Sequence, residues 1–154
     1  MILAFREEIL DETIVDREDL PTWWRGALGE LAATVEATGV VPTAPTGGVY
    51  ADDLFQYGRG NATVFVPVAD DVRIVGRVQP LEIPAAELAI TRHDGSHRDL
   101  DVTYAALGTY VTEHALGVTG PVREHYLVDV RQDERSWQTE IGWPVFDTGA
   151  RPPR

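Results

Sequence analysis

Two glutamates, Glu124 and Glu140, lie on the last two predicted strands, and each shares a strand face with a residue that could help to form a ligand site. On the first of these strands, the two-residue period of an extended chain places Glu124 and Tyr126 on one face. On the second, the same period places Glu140 and Gly142 on one face. If both faces turn inward, two carboxylates and a ring share one cavity, and Gly142 leaves room for a ligand. Such a cavity could hold a small ligand.

The alternative interpretation of these glutamates is an ordinary solvent-facing strand. A strand with one polar face is common, and glutamate is rarely buried. His125 alternates away from Glu124, so a histidine–glutamate pair for acid–base catalysis is not predicted. The residue types leave ligand binding and a solvated face open.

His93 and His97, four residues apart, could suggest a metal site. Gly95 lies between them, and the segment joins a predicted strand to a predicted helix, which favours a loop. The chain has no cysteine, and this excludes disulfides, thiol catalysis and cysteine-ligated metals. We therefore predict no metal and no cofactor.

Two amphipathic helices are predicted beside these strands. The first begins at Asp19 or Thr22 and closes at Gly39, and its apolar residues recur at helical spacing. The second runs over residues 99–114 with an apolar face of its own. The two faces consist of Trp24, Leu28, Leu31 and Val35 in the first helix and of Tyr104, Leu107, Val111 and Ala115 in the second.

Extended segments accompany each helix in the same order. Strands predicted over 48–55 and 61–68 follow the first helix, and strands over 122–130 and 137–145 follow the second. Further extended stretches, 2–17 and 78–92, precede the two helices. Each half therefore has the order β-α-β-β, and helices on one face of antiparallel strands give an α+β fold.

Matching landmarks recur in the two halves. Residues 27–29 (Ala-Leu-Gly) recur at 106–108, Tyr50 matches Tyr126 and Pro67 matches Pro144, at offsets of 79, 76 and 77 in a chain of 154 residues. We interpret this as a tandem duplication within one domain (1–148), with unit one over about 1–76, unit two over about 77–148, and a flexible tail (149–154). In this alignment the equivalents of Glu124 and Glu140 are Gly48 and Thr63, so the acids occur in one half only.

The charge of the chain restricts its partners. There are 25 acidic and 13 basic residues, all of the latter arginine, and the net charge is −12. Nucleic-acid binding needs clustered bases, so no direct nucleic-acid binding is expected. No apolar run approaches the roughly 18 residues of a membrane helix, and the first residues do not form a signal peptide. We expect a cytoplasmic protein, and the absence of lysine hints at a GC-rich bacterial genome.

Four segments carry a resemblance to a known family. They are 64–68 (Val-Phe-Val-Pro-Val), 92–96 (Arg-His-Asp-Gly-Ser), 120–126 (Gly-Pro-Val-Arg-Glu-His-Tyr) and 139–145 (Thr-Glu-Ile-Gly-Trp-Pro-Val). In this order, over nearly the whole chain, they resemble the GyrI-like small-molecule-binding family, which includes the effector-binding domains of MerR-type and AraC-type multidrug regulators. The resemblance implies two β-α-β-β units related by a pseudo-twofold axis, with the ligand cleft between them.

The resemblance also implies roles for individual residues. Glu124 matches the pocket carboxylate that counters the charge of lipophilic cations, Glu140 matches a second acid on the final strand, and Tyr126 matches a pocket aromatic. The further candidates for ligand binding are Tyr50, Phe65, Gly142 and Trp143, together with Trp23, Trp24 and Trp137, of which Trp24 is expected in the core.

Three functions follow from the resemblance. The first is stand-alone binding of lipophilic, aromatic and cationic compounds, since the basic helix-turn-helix segment of the regulators is missing. The second is a hydrolase that detoxifies cyclopropane-bearing genotoxins, with Glu124 or Glu140 as general base. The third is a protein inhibitor of DNA gyrase.

Overall fold

The computed structural model describes residues 1–9, 19–51, 54, 60–69, 76–118 and 120–146. In this part of the chain, seven antiparallel strands form one sheet in the order β4-β1-β3-β2-β6-β7-β5. The strands are β1 (Ile2–Ile9), β2 (Gly47–Tyr50), β3 (Gly60–Pro67), β4 (Val78–Pro80), β5 (Leu88–Asp94), β6 (Val122–Tyr126) and β7 (Gln138–Pro144). The helices are α1 (Asp19–Thr38) and α2 (Leu100–Glu113), with short 3₁₀ turns at His97–Asp99 and Glu134–Ser136. The predicted α+β class is confirmed.

The sheet order is consistent with two related units. Each unit supplies a β-α-β-β run, β1-α1-β2-β3 and β5-α2-β6-β7, and the units meet where β2 pairs with β6. In that pairing Gly48 lies directly opposite Glu124, the residue with which the sequence alignment equates it. An axis relating the units would therefore pass between these two residues.

The two helices begin and end close to the predicted positions. Helix α1 packs Trp24, Leu28 and Leu31 into the core and ends where Gly39 adopts a left-handed conformation with φ 68°. The Gly39 N–H donates to the Val35 carbonyl at 3.1 Å, which satisfies a carbonyl of the last turn. Helix α2 buries Leu107 and Val111, while Tyr104 is half-buried.

Both helices cover the same face of the sheet, and we call this the helix face. Helix α1 packs on β1, β3 and β4, whereas α2 packs on β5 and β7. The central strands β2 and β6 lie between the two helices. Side chains on the helix face of these strands can therefore contact both units at once.

Two predicted strands are longer than the observed ones. Strand β6 ends at Tyr126, where the chain bends, although the pattern predicted an extended run to Val130. Strand β2 ends at Tyr50, and residues 52, 53 and 55 of its predicted continuation lie outside the described residues. The predicted extension of β1 over residues 10–17 and the tail 149–154 lie outside them as well.

Candidate functional site

Glu124 is the buried carboxylate at the centre of the helix face. It lies on β6 with 6% of its surface exposed, and its neighbour on the same face is Tyr126, as the strand period predicted. The Tyr126 hydroxyl donates to Glu124 Oε1 at 2.8 Å. The Tyr104 hydroxyl, from helix α2, donates to Glu124 Oε2. The carboxylate is thus held between the sheet and a helix by two neutral phenols.

The hydroxyl of Tyr126 connects the two units. It lies 2.6 Å from the hydroxyl of Tyr50, which comes from β2 in the first unit. It also accepts a hydrogen bond of 2.9 Å from the Trp24 Nε1 group of helix α1. Residues from both units and both helices therefore converge on the Glu124 carboxylate.

Gly48 makes this arrangement possible. A Cβ atom at Gly48 would overlap the hydroxyl oxygen and the ring of Tyr50, since it would lie closer to them than atoms can approach. The Tyr50 ring therefore occupies the space that a side chain at position 48 would take. The first unit carries a glycine opposite Glu124 because Tyr50 must reach Tyr126.

An aromatic cluster adjoins the tyrosines on the helix face. The Trp24 ring lies 5.2 Å from Tyr126 and 5.8 Å from Trp137, in edge-to-face arrangements. The imidazole of His97 lies 5.1 Å from the Trp24 ring and 5.0 Å from the Trp137 ring. Its Nε2 atom is 2.8 Å from the Thr139 hydroxyl. Such rings provide a surface that suits flat or cationic groups.

A cleft of about 1060 Å³ opens beside this cluster, between α1 and the loop from β6 to β7. Trp24, Tyr126 and Trp137 line its inner wall. Its charged lining comprises four carboxylates and two guanidiniums, from Glu36, Asp129, Asp133 and Glu134 and from Arg25 and Arg131. The lining is therefore net negative. Glu124 does not line the cleft, and Tyr126, its hydrogen-bond partner, does.

Burial shapes the protonation of this site. It raises the pKa of the Glu124 carboxyl, while the hydrogen bonds from Tyr104 and Tyr126 and the field of His93 oppose the shift. Burial, together with the Glu124 charge, also raises the pKa values of Tyr50, Tyr104 and Tyr126 well above those of free phenols. The three phenols are neutral at physiological pH. The hydrogen bonds from the phenols hold the Glu124 carboxylate in place, but its removal from water costs free energy.

The prediction that Glu140 shares a cavity with Glu124 is wrong. In the β6–β7 register, Glu140 lies opposite His125, which alternates away from Glu124. Its carboxylate points to the second face of the sheet, where it lies 3.8 Å from His125 Nδ1. The period of two fixes which residues of one strand share a face, but only the pairing register relates one strand to the next.

The expected space beside Gly142 is filled. Gly142 lies opposite Arg123 and Ile90, away from the helix face. A Cβ atom there would lie 2.8 Å from Leu88 Cδ1. The glycine therefore accommodates the partly buried side chain of Leu88, which fills the space expected for a ligand.

The aromatic candidates divide between the two faces. Tyr50 contacts the Glu124 network, whereas Phe65 lies on the second face with its ring 6.0 Å from that of His125. Trp143 is on the helix face but packs against helix α2, with ring atoms 3.2 Å from the Cβ position of Gly108. Trp23 donates to Glu7 at 2.9 Å, remote from Glu124. Of the predicted rings, Tyr126 hydrogen-bonds to the carboxylate, Tyr50 and Trp24 contact Tyr126, and Trp137 packs against Trp24, whereas Phe65 lies on the other face of the sheet.

Sequence reasoning missed two residues of this site. Tyr104 was interpreted only as part of an apolar helix face, although the hydroxyl of a buried tyrosine generally needs a partner. The sequence predicts a loop at His97, and the structure brings this residue, at the start of a short 3₁₀ turn, against Trp24 and Trp137. Among the described residues, no three histidine or acidic side chains are placed to hold a metal ion.

The half-buried His97 makes stability depend on pH. Desolvation lowers its pKa from the ordinary 6.5 to about 4. Between these values the unfolded chain binds a proton at His97 that the folded protein does not. The free energy of unfolding is therefore highest above pH 6.5 and falls as the pH drops toward 4. The fall is about 2 kcal/mol when the partial solvent access of the ring is taken into account. We expect His97→Gln to flatten the stability profile measured by urea unfolding between pH 4 and 7.

The matched control is His114→Gln, since His114 is exposed at the end of α2. The stability of His114→Gln between pH 4 and 7 should follow that of the unmodified protein. An unchanged slope in His97→Gln would show that another group causes the acid sensitivity.

The fold and this site together define a small-molecule-binding domain. A family model of the GyrI-like small molecule binding domain matches residues 19–145. The chain belongs to this family, as the resemblance in its sequence indicated. No curated protein matches the sequence.

Solved structures share the fold. The EcmrR C-terminal domain aligns at a TM-score of 0.71 with 22% identity, over 96% of this chain and 91% of that one. EcmrR in its DNA complex aligns at 0.73 with 21% identity, over 94% of this chain but only 53% of that one, so this chain spans about half of the longer protein. SAV2435 bound to tetraphenylphosphonium aligns at 0.60 with 11% identity, over 94% and 87%. Among the described residues, no helix is long and apolar enough to cross a membrane.

Proposed function

We propose that this protein binds lipophilic aromatic cations on the helix face of the sheet, with Glu124 as the counter-charge. The observation that carries the proposal is the environment of Glu124. It is buried, and among the described residues it forms no ion pair, because its hydrogen-bond partners are the neutral phenols of Tyr104 and Tyr126. A buried carboxylate without a cation is costly, and a cationic ligand would remove that cost.

The surroundings supply the other features of such a site. Trp24, Tyr126 and Trp137 offer ring surface at the inner wall of the cleft, and each ring contacting a cation adds roughly 0.5–2 kcal/mol of attraction. The negative lining of the cleft favours the approach of a cation. SAV2435, which shares the fold, has been solved with tetraphenylphosphonium bound, and this compound is a suitable probe.

A ligand must rearrange the cluster to reach the carboxylate. Trp24, Tyr126 and Trp137 are all buried, and Glu124 does not line the cleft. We propose that the cation takes the place of one ring in the cluster, with the others closing around it. His97 is the suitable group to move, because it is only half-buried and belongs to a short turn.

The proposal is tested by comparing a cation with a neutral compound of similar shape. Tetraphenylphosphonium and triphenylphosphine oxide are titrated into the protein while tryptophan fluorescence and heat release are followed. The cation should quench the fluorescence and bind at least about tenfold more tightly, since each factor of ten corresponds to 1.4 kcal/mol of charge-dependent attraction. Equal affinities would contradict a role for charge in recognition.

A further inference from the structure

A groove on the second face of the sheet contains two arginines that have no described carboxylate partner. The groove has a volume of about 830 Å³ and is lined by Arg6 from β1 and Arg123 from β6. It lies on the opposite side of the sheet from Glu124, because Arg123 alternates with Glu124 along β6. The groove is therefore separate from the proposed cation site.

The two arginines mark the ends of one row across the sheet. Arg6 pairs with Thr63, Thr63 pairs with Val49, and Val49 pairs with Arg123. Three strand spacings separate the outer Cα atoms by about 14 Å. A molecule that spans the row would meet a guanidinium at either end and the small side chains of Val49 and Thr63 between them.

The pairing of the other arginines makes this groove unusual. Five of the eight arginines in the described ranges form ion pairs with described carboxylates, namely Arg25, Arg77, Arg92, Arg131 and Arg135. Arg6, Arg98 and Arg123 do not, and two of these three line the groove. In a chain with nearly twice as many acids as bases, two guanidiniums that line one groove and have no carboxylate partner among the described residues favour an anionic ligand.

Arg123 is held in place without being fully satisfied. Its Nη2 group donates to the carbonyl oxygen of Pro84, from the segment that borders the groove. Its Nε group is shielded from solvent and has no acceptor among the described residues. Partial burial also lowers the pKa of the guanidinium, which stays charged. Among the described residues its Nη1 group makes no hydrogen bond, so Nη1 remains a donor for an anionic group.

The walls of the groove define the rest of the ligand. They are largely apolar and come from Val49, Leu81, Ile83, Pro84, Pro121, Pro144 and Val145. Glu82 and Glu87 also line the groove, but both are exposed and neither forms an ion pair with Arg6 or Arg123. The groove therefore suits a ligand with an apolar body and an anionic end.

We propose that this groove is a second binding site, which takes an aromatic carboxylate with its carboxylate on Arg123 and its ring against the apolar wall. Arg6, at the far end of the row, attracts the anion and contacts longer ligands. The protein would then hold a lipophilic cation on one face of the sheet and an organic anion on the other.

The test uses 2-naphthoate as the probe and 2-naphthamide as its uncharged analogue. Two-dimensional amide NMR should show shifts for naphthoate at Val49, Thr63 and Val118, and little change at Trp24 or Tyr126. The amide should bind at least about tenfold more weakly, because the charge-assisted bonds to Arg123 are lost. Shifts confined to the helix face, or equal binding of the two compounds, would overturn the proposal.

Substitutions separate a local effect from a general effect of charge. Arg123→Gln is expected to weaken naphthoate binding about tenfold, and Arg123→Lys less, since lysine keeps the charge but not the planar fork. Arg98→Gln makes the same charge change at an exposed position outside the groove and should leave affinity within about twofold. If Arg98→Gln and Arg6→Gln weaken binding as much as Arg123→Gln, the attraction is non-specific and the proposed site is wrong.

The result is independent of the cation site. Glu124→Gln should leave naphthoate binding unchanged, and saturation with tetraphenylphosphonium should not displace naphthoate. Displacement would place both compounds on the helix face, which would overturn the second site and leave the first intact.

Discussion

Glu124→Gln should lower the affinity for tetraphenylphosphonium about 100-fold. Two unit charges about 5 Å apart attract each other by roughly 3 kcal/mol at the effective dielectric constant of about 20 that suits protein sites, which corresponds to this factor. Glutamine keeps the size of the side chain, and its amide oxygen can still accept from one of the two phenols, while its NH2 group donates to the hydroxyl oxygen of the other. The change therefore removes the charge with little effect on packing, and titration calorimetry measures the loss.

The matched control for this change is Glu140→Gln. It removes one carboxylate charge from the same pair of strands, but on the second face of the sheet, beside His125. We expect its affinity for the cation to stay within about twofold of the unmodified protein, as is usual for a remote, partly exposed charge. A similar loss in both variants would mean that overall charge, and not the position of Glu124, determines binding.

Glu124→Gln should also change how cation affinity and protein stability depend on pH. Since burial raises the pKa of Glu124, a fraction of the carboxyl groups is protonated above the ordinary value of 4.5, and affinity for a cation increases with pH through the raised pKa. The unfolded chain ionises earlier than the folded one, so this residue costs stability as pH rises above 4.5. Glu124→Gln should therefore bind without this pH dependence and be more stable at pH 8, as measured by thermal unfolding.

Trp24→Ala should have the largest effect on stability. The Trp24 ring is buried in contact with Tyr126, Trp137 and His97, and its N–H donates to the Tyr126 hydroxyl. Removal of a buried tryptophan leaves a cavity and costs about 3–5 kcal/mol. Urea unfolding followed by far-ultraviolet circular dichroism measures this change independently of the tryptophan signal.

The adjacent Trp23 provides the control. Its ring is half-buried, lies 6.1 Å from Phe5 and donates to Glu7 at 2.9 Å. We expect Trp23→Ala to cost about 1–2 kcal/mol, because less surface leaves water when the ring packs. The tetraphenylphosphonium-dependent quenching should persist in Trp23→Ala. Equal destabilisation by the two changes would contradict the central position of Trp24 in the cluster.

The hydrolase and gyrase-inhibitor hypotheses stay predictions. The raised pKa of Glu124 would suit a general base, but the same burial is also what a binding carboxylate requires. Binding is the function that the geometry of the site supports best.

The sequence by itself determined the local architecture. Helical spacing in α1 and the glycine after it set the limits of that helix, and alternation on β6 placed Glu124 and Tyr126 on one face. The ordered landmarks also matched Gly48 to Glu124, and these two residues are direct partners across the sheet. These features depend on neighbours a few residues apart, or on a pattern repeated within the chain, and both can be read from the sequence.

Only the tertiary structure decided how these elements combine into a site. The register of β6 with β7 turned Glu140 away from Glu124, since a shift of one residue reverses every side chain of a strand. Packing brought Tyr104 from α2, and His97 from the turn before it, to the centre of the helix face. Contacts between residues 20 to 102 positions apart, such as Tyr104 with Glu124 and Trp24 with Tyr126, leave no periodic trace in a sequence, because only chain folding brings the partners together.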